Sequence, residues 1–313
     1  MQIVIPFAQV KAINPNLPNR NPASTLASYL KCIAVSCHSF RSHNSAIRIK
    51  LITNSEIVGE TKSILSALNV EVVNVPFTFV PSAEFGHKFK GCFYFFDALR
   101  SLNEDSLIID PDVICLGNLT NLVRSLGRNI AVFRPNFHSE KLINGISPFD
   151  AVEIYRTYRR GYTNLHPDHV GGEAIYFPKE CISNFIAEVS QFWEWNLSQA
   201  KKGSRFLTTE EHIITCILGE NDCDNLNEYV SRIWTTRSYR EVEGHEKDPD
   251  QLILWHLPSE KHKGFKRIYD EQIKSNLNLQ NLQLTKQYYA NVMNVYPNYL
   301  SRIIYRTIRK FKA

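Results

Sequence analysis

Short apolar runs alternate with longer amphipathic segments along the first half of the chain. The apolar runs are rich in β-branched residues and end in polar or turn residues, which is typical of buried strands in a mostly parallel sheet. In chain order they are QIVIPF, AIRIKLITN, VEVVNVPF, SLIIDPD and NIAVFRP, with EAIYFP further on. Between the first three lie ASTLASYLKCIAVSCHSFRSH and SEIVGETKSILSALN, which carry apolar residues at helical spacing. The order β-α-β-α-β predicts an α/β fold whose mostly parallel mixed sheet is flanked by helices.

Three further segments have the spacing of helices. KFKGCFYFFDALRSLNE precedes the strand SLIIDPD, KECISNFIAEVSQFWEWNLSQA is a long amphipathic segment, and TEEHIITCILGEN is a shorter one. Residues 136–168 are polar and aromatic and interrupt the strand pattern, so we expect them to form a wall of a substrate site. After about residue 265 the chain is rich in Asn and Gln. We predict a domain over residues 1–265 and a C-terminal helical extension over residues 266–313.

The last stretch, YPNYLSRIIYRTIRKFKA, mixes basic and apolar residues. On a helix this pattern forms a basic amphipathic surface. Two interpretations stay open: the apolar side docks on the body of the protein with its cations in solvent, or the surface binds peripherally to an anionic membrane.

Composition narrows the class of protein. The chain has 313 residues, of which 43% are hydrophobic and 21% charged, as in an ordinary globular protein. No apolar run reaches the roughly 18 to 20 residues that cross a bilayer, and the first residues lack the basic start of a signal peptide, so we expect a cytoplasmic protein. A net charge of +5 without a recognition motif predicts no nucleic-acid partner. Seven cysteines without a CxxC pair argue against a disulfide framework and a thiolate zinc site.

Two carboxylates follow the apolar run LII, at Asp110 and Asp112. Side chains at i and i+2 of an extended chain point the same way, so both can reach one ion at the carboxyl edge of the sheet. Pro111 between them lacks an N–H group, and the strand is therefore expected to leave the sheet there. Hard oxygen ligands favour Mg²⁺ or Mn²⁺ together with substrate phosphates. The alternative is a capping Asp110 and a solvated Asp112.

Several segments resemble glycosyltransferases of the GT-A fold, especially the glycogenin and lipopolysaccharide galactosyltransferase-like family 8. LIIDPDVICLGNLTNL resembles the family's DxD segment, preceded by a helix like KFKGCFYFFDALRSL and followed by a strand like NIAVFRP. HVGGEAIYFPKECISNFIAEVSQFWEW is similar to the strand and helix that line the donor sugar site. LTTEEHIITCIL is similar to the acidic segment that opens the following helix, and LILWHLPSEKHKGF to the late H.tG..KPW segment. The resemblance covers roughly residues 1 to 265.

The resemblance implies roles for particular residues. Asp110, Asp112 and His256 would bind Mn²⁺ or Mg²⁺, with Asp110 also meeting the donor. Glu211 would act at the donor sugar, either stabilising an oxocarbenium-like state or serving as the base on the acceptor hydroxyl. Asp168 is a weaker acid/base candidate. The other predicted donor-binding residues are lysines for the diphosphate and a short segment for the sugar: Lys88, Lys90, Lys261, Lys263, Gly171, Gly172 and Glu173.

The expected reaction is transfer of a sugar from a nucleotide-sugar donor, a UDP-sugar by resemblance, to a glycan, a lipid-linked or another hydroxyl acceptor. The chain departs from the family at Gly171-Gly172-Glu173, where the family prefers Asn-Ala-Gly, and at Glu210-Glu211, where it often has Asp-Gln. The spacing from His256 to the following lysines also differs. These departures leave open whether His256 is a ligand or a buried structural histidine, and whether the lysines belong to a solvated loop.

Three other functions are compatible with an apolar strand followed by DxD. A haloacid-dehalogenase-like phosphatase uses such a motif, but that fold begins with its DxD strand, whereas about a hundred residues precede Asp110 here. A sugar nucleotidyltransferase would need a glycine-rich loop after the first strand, and FAQVKAINPNLPNRNP has no glycine. A protein that kept the fold for binding and lost catalysis is the third.

Overall fold

A computed structural model of the protein describes residues 1–10, 22–86, 89–135, 141–165, 168–219, 221–235, 241–243, 251–276 and 278–295. Its strands are β1 Gln2–Phe7, β2 Arg48–Thr53, β3 Val70–Asn74, β4 Ser106–Ile109, β5 Val113–Cys115, β6 Ala131–Phe133, β7 Gly171–Phe177, β8 Asp224–Asn225, β9 Val230–Trp234, β10 Glu241–Glu243 and β11 Leu254–His256. Its α-helices are α1 Pro22–His43, α2 Gly59–Ala67, α3 Tyr94–Arg100, α4 Thr120–Ser125, α5 Pro148–Tyr158, α6 Lys179–Lys201, α7 Glu210–Leu218, α8 Gly264–Ile268 and α9 Lys286–Val292.

The larger of two sheets has the strand order β3-β2-β1-β4-β7-β6-β8 among the described residues. Strands β3, β2, β1 and β4 are parallel to one another, whereas β7 is antiparallel to both β4 and β6. The predicted class, an α/β fold with a mostly parallel mixed sheet flanked by helices, is confirmed. Because β1, β2 and β4 are parallel, their carboxyl ends meet at one edge of the sheet, where open α/β folds bind ligands.

The smaller sheet has the order β10-β9-β11-β5. Strands β9 and β11 are parallel, and β5 and β10 are antiparallel to their neighbours. Strand β5 begins four residues after β4 ends, so the short segment between them connects the two sheets. This sheet was not predicted from the sequence, since its strands are short and have no long apolar run.

Successive side chains of the central strands point to opposite faces of the larger sheet, and both sets are apolar. Ile3 and Ile5 of β1 belong to one buried cluster, together with α1 and the smaller sheet. Val4 and Ile108 belong to the other, together with α3 and α6. A strand that is buried on both faces has no polar stripe, which is why β1 and β4 are continuous apolar runs in the sequence.

The structure adds detail to two segments whose roles were predicted from the sequence. Residues 141–165, part of the predicted substrate wall, contain helix α5, whose N-cap is Ser147: its side chain accepts a hydrogen bond from the Asp150 backbone N–H. Beyond residue 265, the side chains of Tyr289, Met293 and Val295 are buried in the same apolar cluster as the smaller sheet. The domain boundary at 265 stays a prediction, and the basic stretch after residue 295 lies outside the described residues.

Within the described part of the chain, no helix has both the length and the apolar character needed to cross a membrane.

Candidate active site

The segment Asp110-Pro111-Asp112 connects the two sheets. Strand β4 ends at Ile109, and the Asp110 backbone N–H donates to the Glu173 carbonyl at 3.1 Å. A turn then follows, in which the Val113 N–H donates to the Asp110 carbonyl at 3.1 Å and starts β5. As expected from Pro111, the chain leaves the larger sheet at this point.

His256 reaches the two aspartates from the last position of β11. In the smaller sheet His256 is paired with Val113 of β5, which brings its ring beside Asp112. Its Nε2 atom lies 3.1 Å from Asp112 Oδ2 and 3.5 Å from Asp110 Oδ2. One ligand atom from each of the three residues lies within 4.8 Å of the others. The Asp110 side chain is 39% exposed and that of Asp112 only 2%, so this candidate metal centre is open on one side.

The predicted lysines differ in position. Lys261, in the turn after the 3₁₀ helix Pro258–Glu260, is buried and donates a hydrogen bond to Asp112 Oδ2. Lys263, two residues later, is exposed, and Lys90 is partly exposed. Lys88 lies outside the described residues. The structure therefore brings Lys261 to the aspartates and leaves Lys263 on the surface.

The charges of the cluster shift its titration. Burial, which His256 opposes and the Asp112 and Glu173 carboxylates reinforce, raises the pKa of Asp110 to about 7. Burial also raises the pKa of Asp112, but Lys261 and His256 outweigh this effect and lower that pKa below its ordinary value. Burial lowers the pKa of His256, yet Asp112 and Glu173 outweigh it and raise that pKa to about 9. Asp112 is therefore the firmly ionised carboxylate of the pair.

Glu173 lies behind His256. Its side chain is fully buried, and its Oε1 atom lies 3.0 Å from His256 Nδ1. The same oxygen accepts a hydrogen bond from Nε of Arg232 on β9. Burial raises the pKa of Glu173, but Arg232 and His256 outweigh it and lower that pKa overall. Glu173 was predicted to bind the donor, and the structure shows that its carboxylate contacts His256 and Arg232.

The two glycines of β7 have different surroundings. A Cβ atom on Gly171 would overlap the Glu173 carboxylate and lie 3.0 Å from the Phe133 ring. A Cβ on Gly172 would be at ordinary contact distance, 3.4 Å from Glu210 Oε1 and 3.5 Å from Glu211 Oε1. The space at Gly171, which the sequence suggested for a sugar ring, is thus filled by the carboxylate of Glu173.

Glu211, in the first turn of α7, has its carboxylate fixed by several donors. Oε1 accepts hydrogen bonds from the Gly172 N–H and from Arg232 Nη2, both at 2.9 Å. Oε2 accepts one from Asn144 Nδ2 and lies near His169 Nε2, each at 3.4 Å. Burial raises the pKa of Glu211, but the Arg232 guanidinium and His169 outweigh it and hold that pKa well below its usual range.

Two other carboxyl groups, those of Asp168 and Glu210, differ from that of Glu211 in exposure or in pKa. Asp168 is exposed in the segment before β7, and its acid/base role stays a prediction. Glu210 is partly buried, and burial together with the Glu211 charge raises its pKa to about 8. Neighbouring carboxyl groups with pKa values driven apart are a common feature of active sites.

Arg232 was not predicted from the sequence. It binds both Glu173 and Glu211, and β9 places it beside His256, its register partner on β11. The β-branched Val230 and Ile233 and the aromatic Trp234 of VSRIW are typical of a strand. However, no local signal shows that an arginine in it pairs with glutamates 59 and 21 residues away.

No protein-family model matches the chain, and no curated protein matches it. Among solved structures, it is similar to mouse xyloside xylosyltransferase 1 in its apo form, with 12% identity over 82% of this chain and 96% of that one and a TM-score of 0.47. It is also similar to galactosyltransferase LgtC in complex with donor and acceptor sugar analogs, with 11% identity over 95% of this chain and 97% of that one and a TM-score of 0.48.

A third similar structure is the glycosyltransferase GlyE of Streptococcus pneumoniae TIGR4, with 14% identity over 73% of this chain and a TM-score of 0.42. The alignment covers 46% of GlyE, so the chain spans about half the length of that protein. These three structures are glycosyltransferases, the class that the sequence of this chain resembles.

Proposed function

We propose that the protein is a metal-dependent glycosyltransferase that moves a sugar from a nucleotide-sugar donor, a UDP-sugar, to an acceptor hydroxyl. The observation that carries the proposal is the cluster of Asp110, Asp112 and His256 at the carboxyl edge of the parallel strands, with its ligand atoms within 4.8 Å of one another. Two carboxylates and an imidazole fit Mn²⁺ or Mg²⁺, and the open side at Asp110 leaves room for phosphate oxygens.

The diphosphate leaving group becomes more negative as the bond to the sugar breaks, so the site has to supply positive charge. A divalent cation held by Asp110, Asp112 and His256 would supply most of it. Lys261 adds a cation from the chain itself, since its ammonium group lies on Asp112 at the same edge. Its burial keeps this charge in a medium of low dielectric constant, where it acts strongly on a nearby phosphate.

Glu211 is the proposed carboxylate at the donor sugar. Its lowered pKa keeps it ionised at neutral pH, and its hydrogen bonds to Gly172 and Arg232 hold it in one orientation. A fixed, weakly basic carboxylate is suited to stabilising positive charge on the sugar and poorly suited to taking a proton from the acceptor. Of the two roles implied by the resemblance, this supports the electrostatic one.

The acceptor is proposed to approach over residues 141–165. Asn144, which donates to Glu211 at 3.4 Å, joins this segment to the site, and the exposed side chains of Leu142 and Phe149 offer apolar surface nearby along the chain. A glycan, a lipid-linked sugar or another hydroxyl compound would satisfy the proposed chemistry.

Calorimetric titration with UDP, GDP, CMP and ADP, each with and without Mn²⁺, tests the proposal. We expect UDP to bind with Mn²⁺ and Asp112→Asn to weaken that binding at least about tenfold, because the variant removes a charge that holds both the cation and Lys261. Asp97→Asn is the matched control. Asp97 is a buried carboxylate that accepts hydrogen bonds from the Thr78 and Phe79 N–H groups instead of contacting the cluster.

Other outcomes separate the alternatives. If no nucleotide binds under any metal condition, the glycosyltransferase proposal is wrong, and phosphatase assays with Asp110→Asn test the next candidate. If UDP and Mn²⁺ bind but UDP-sugars are neither hydrolysed nor transferred, the chain is a binding protein that uses the same site.

A further inference from the structure

The two ring nitrogens of His256 face different partners. Nε2 faces Asp112 and Asp110, whereas Nδ1 faces Glu173 Oε1 at 3.0 Å. A histidine binds a metal through one nitrogen only if that nitrogen carries a lone pair, and the other nitrogen then carries the proton. A carboxylate that accepts this proton in a hydrogen bond fixes both the tautomer and the direction of the ring.

Glu173 is held in place for this contact. It is inaccessible to solvent, and Arg232 donates to the same Oε1 atom that faces His256. Arg232 is itself 8% exposed and is the register partner of His256 on the neighbouring strand. The arginine balances the charge of a carboxylate that would otherwise be costly to bury. The Nη2 atom of Arg232 donates to Glu211. One guanidinium group therefore contacts both Glu173, which faces His256, and Glu211, the carboxylate proposed at the donor sugar.

The backbone of β7 provides the space for Glu173. Its Oε2 atom has no hydrogen-bond partner among the described residues, and it lies where the Cβ of any other residue at position 171 would be. Gly171 does not have a positive φ angle, so the glycine is needed here for space. The family that the sequence resembles prefers glycine at the position of Glu173.

We propose that Glu173, with Arg232 behind it, is a positioning residue that holds His256 in the tautomer and orientation needed to bind the metal ion. This inference rests on the proposed metal-dependent function. It assigns a role to two residues that do not bind the metal ion themselves: Glu173 contacts the ligand His256, and Arg232 contacts Glu173. Loss of a carboxylate behind a ligating histidine typically weakens metal binding about 10- to 100-fold.

The test is Mn²⁺ binding in the presence of saturating UDP, followed by electron paramagnetic resonance, on the wild type, Glu173→Ala and Glu173→Gln. We expect affinity for Mn²⁺ to fall about 10- to 100-fold in Glu173→Ala and much less in Glu173→Gln, whose amide oxygen still accepts the Nδ1 proton. Pulsed measurements report the ¹⁴N coupling of a manganese-bound imidazole. This coupling should be present in the wild type and Glu173→Gln and lost or reduced in Glu173→Ala.

Two further variants separate positioning from a loss of folding. Asp97→Asn removes a buried carboxylate that accepts hydrogen bonds from the Thr78 and Phe79 N–H groups, and it should leave both Mn²⁺ readouts unchanged. The double variant Glu173→Leu with Arg232→Met replaces the buried ion pair by apolar side chains, a change that is often tolerated. It should show the same loss of Mn²⁺ affinity as Glu173→Ala without an unpaired buried arginine. Glu211 loses Arg232 in this variant but keeps its hydrogen bonds from the Gly172 N–H and from Asn144 Nδ2.

Equal Mn²⁺ affinity and equal ¹⁴N coupling in the wild type, in Glu173→Ala and in the double variant Glu173→Leu with Arg232→Met would overturn the inference and leave the proposed function intact. A wild type that binds no Mn²⁺ with any nucleotide would instead refute the metal site itself, and the inference with it. A failure of the inference is seen by comparing the variants with the wild type, whereas a failure of the proposed metal site is seen in the wild type alone.

Discussion

Glu210 and Glu211 are consecutive residues of one helical turn, yet their carboxyl groups have opposite environments. Glu211 faces Arg232 and the Gly172 N–H, which keep it ionised. Glu210 receives the negative charge of Glu211 and is partly buried, which raises its pKa to about 8. At neutral pH we therefore expect one proton on this pair, and we expect it on Glu210.

The raised pKa of Glu210 predicts a pH dependence of stability. Between about pH 4.5 and pH 8 the unfolded chain loses this proton while the folded protein keeps it, so the free energy of unfolding falls as the pH rises. In Glu210→Gln this contribution is absent. Urea unfolding in the presence of EDTA should show that, from pH 5 to pH 8, the wild type loses roughly 1 to 3 kcal/mol more stability than the variant.

Equal losses of stability in the wild type and Glu210→Gln over this range would show that the carboxyl group of Glu210 titrates normally. Glu188→Gln is a useful control, because Glu188 is a more accessible glutamate whose carboxylate contacts Tyr155 and Arg159 outside the cluster.

Lys261 and Lys263 offer a matched pair for testing the phosphate role. Lys261 is buried on Asp112 and Lys263 is exposed, although the sequence places them only two residues apart. Lys261→Met should weaken UDP binding in the presence of Mn²⁺ about tenfold or more, since a buried charge acts strongly on phosphate, and Lys263→Met should change it little. Equal small effects in calorimetry would argue against Lys261 as a phosphate ligand.

At this scale the sequence predicted the residues that have a local pattern. Asp110 and Asp112 follow an apolar run, and His256 precedes lysines at a spacing that resembles a known segment. Arg232 and the orientation of Glu173 were not predictable, because both depend on pairing between β9, β11 and β7, which no local pattern of residues encodes.

At the scale of elements, the larger sheet was predictable and the smaller one was not. Strands β1 and β4 are continuous apolar runs because both faces are covered by other elements. Strands β5 and β11 have three residues each and owe their conformation to pairing with each other, which is a tertiary effect. Yet this smaller sheet supplies His256 and Arg232, so half of the candidate site depends on the part of the fold that the sequence did not reveal.

The start of β7 makes a prediction about element packing. Gly171→Ala places a Cβ against the Glu173 carboxylate and the Phe133 ring, whereas Gly172→Ala meets only ordinary contacts. Since the carboxylate is fixed by Arg232 and His256, it cannot move away freely. We expect Gly171→Ala to lower the free energy of unfolding by about 1 to 3 kcal/mol and Gly172→Ala to lower it by clearly less. Urea denaturation of the two variants measures the difference, and equal values would contradict it.

At the scale of the whole molecule, the described residues after 265 share the core of the rest of the protein. Met293 is fully buried and packs so closely on Gly264 that a Cβ there would overlap its sulfur. Lys286 lies 5.2 Å from the ring centre of Trp255, the residue next to His256. Residues 278–295 therefore pack against the region of β11, the strand that carries His256.

This packing predicts that the residues after 265 and the rest of the protein unfold together. Met293→Ala should lower the free energy of unfolding by about 2 to 5 kcal/mol, as expected for a truncated core side chain, and so should Leu254→Ala in β11. Val58→Ala, at a side chain that is 63% exposed, should stay within about 0.5 kcal/mol. Each variant should show one cooperative transition that coincides in tryptophan fluorescence and circular dichroism. If Met293→Ala instead produced a separate early transition while the main midpoint stayed at its wild-type value, residues after 265 would form an independent unit.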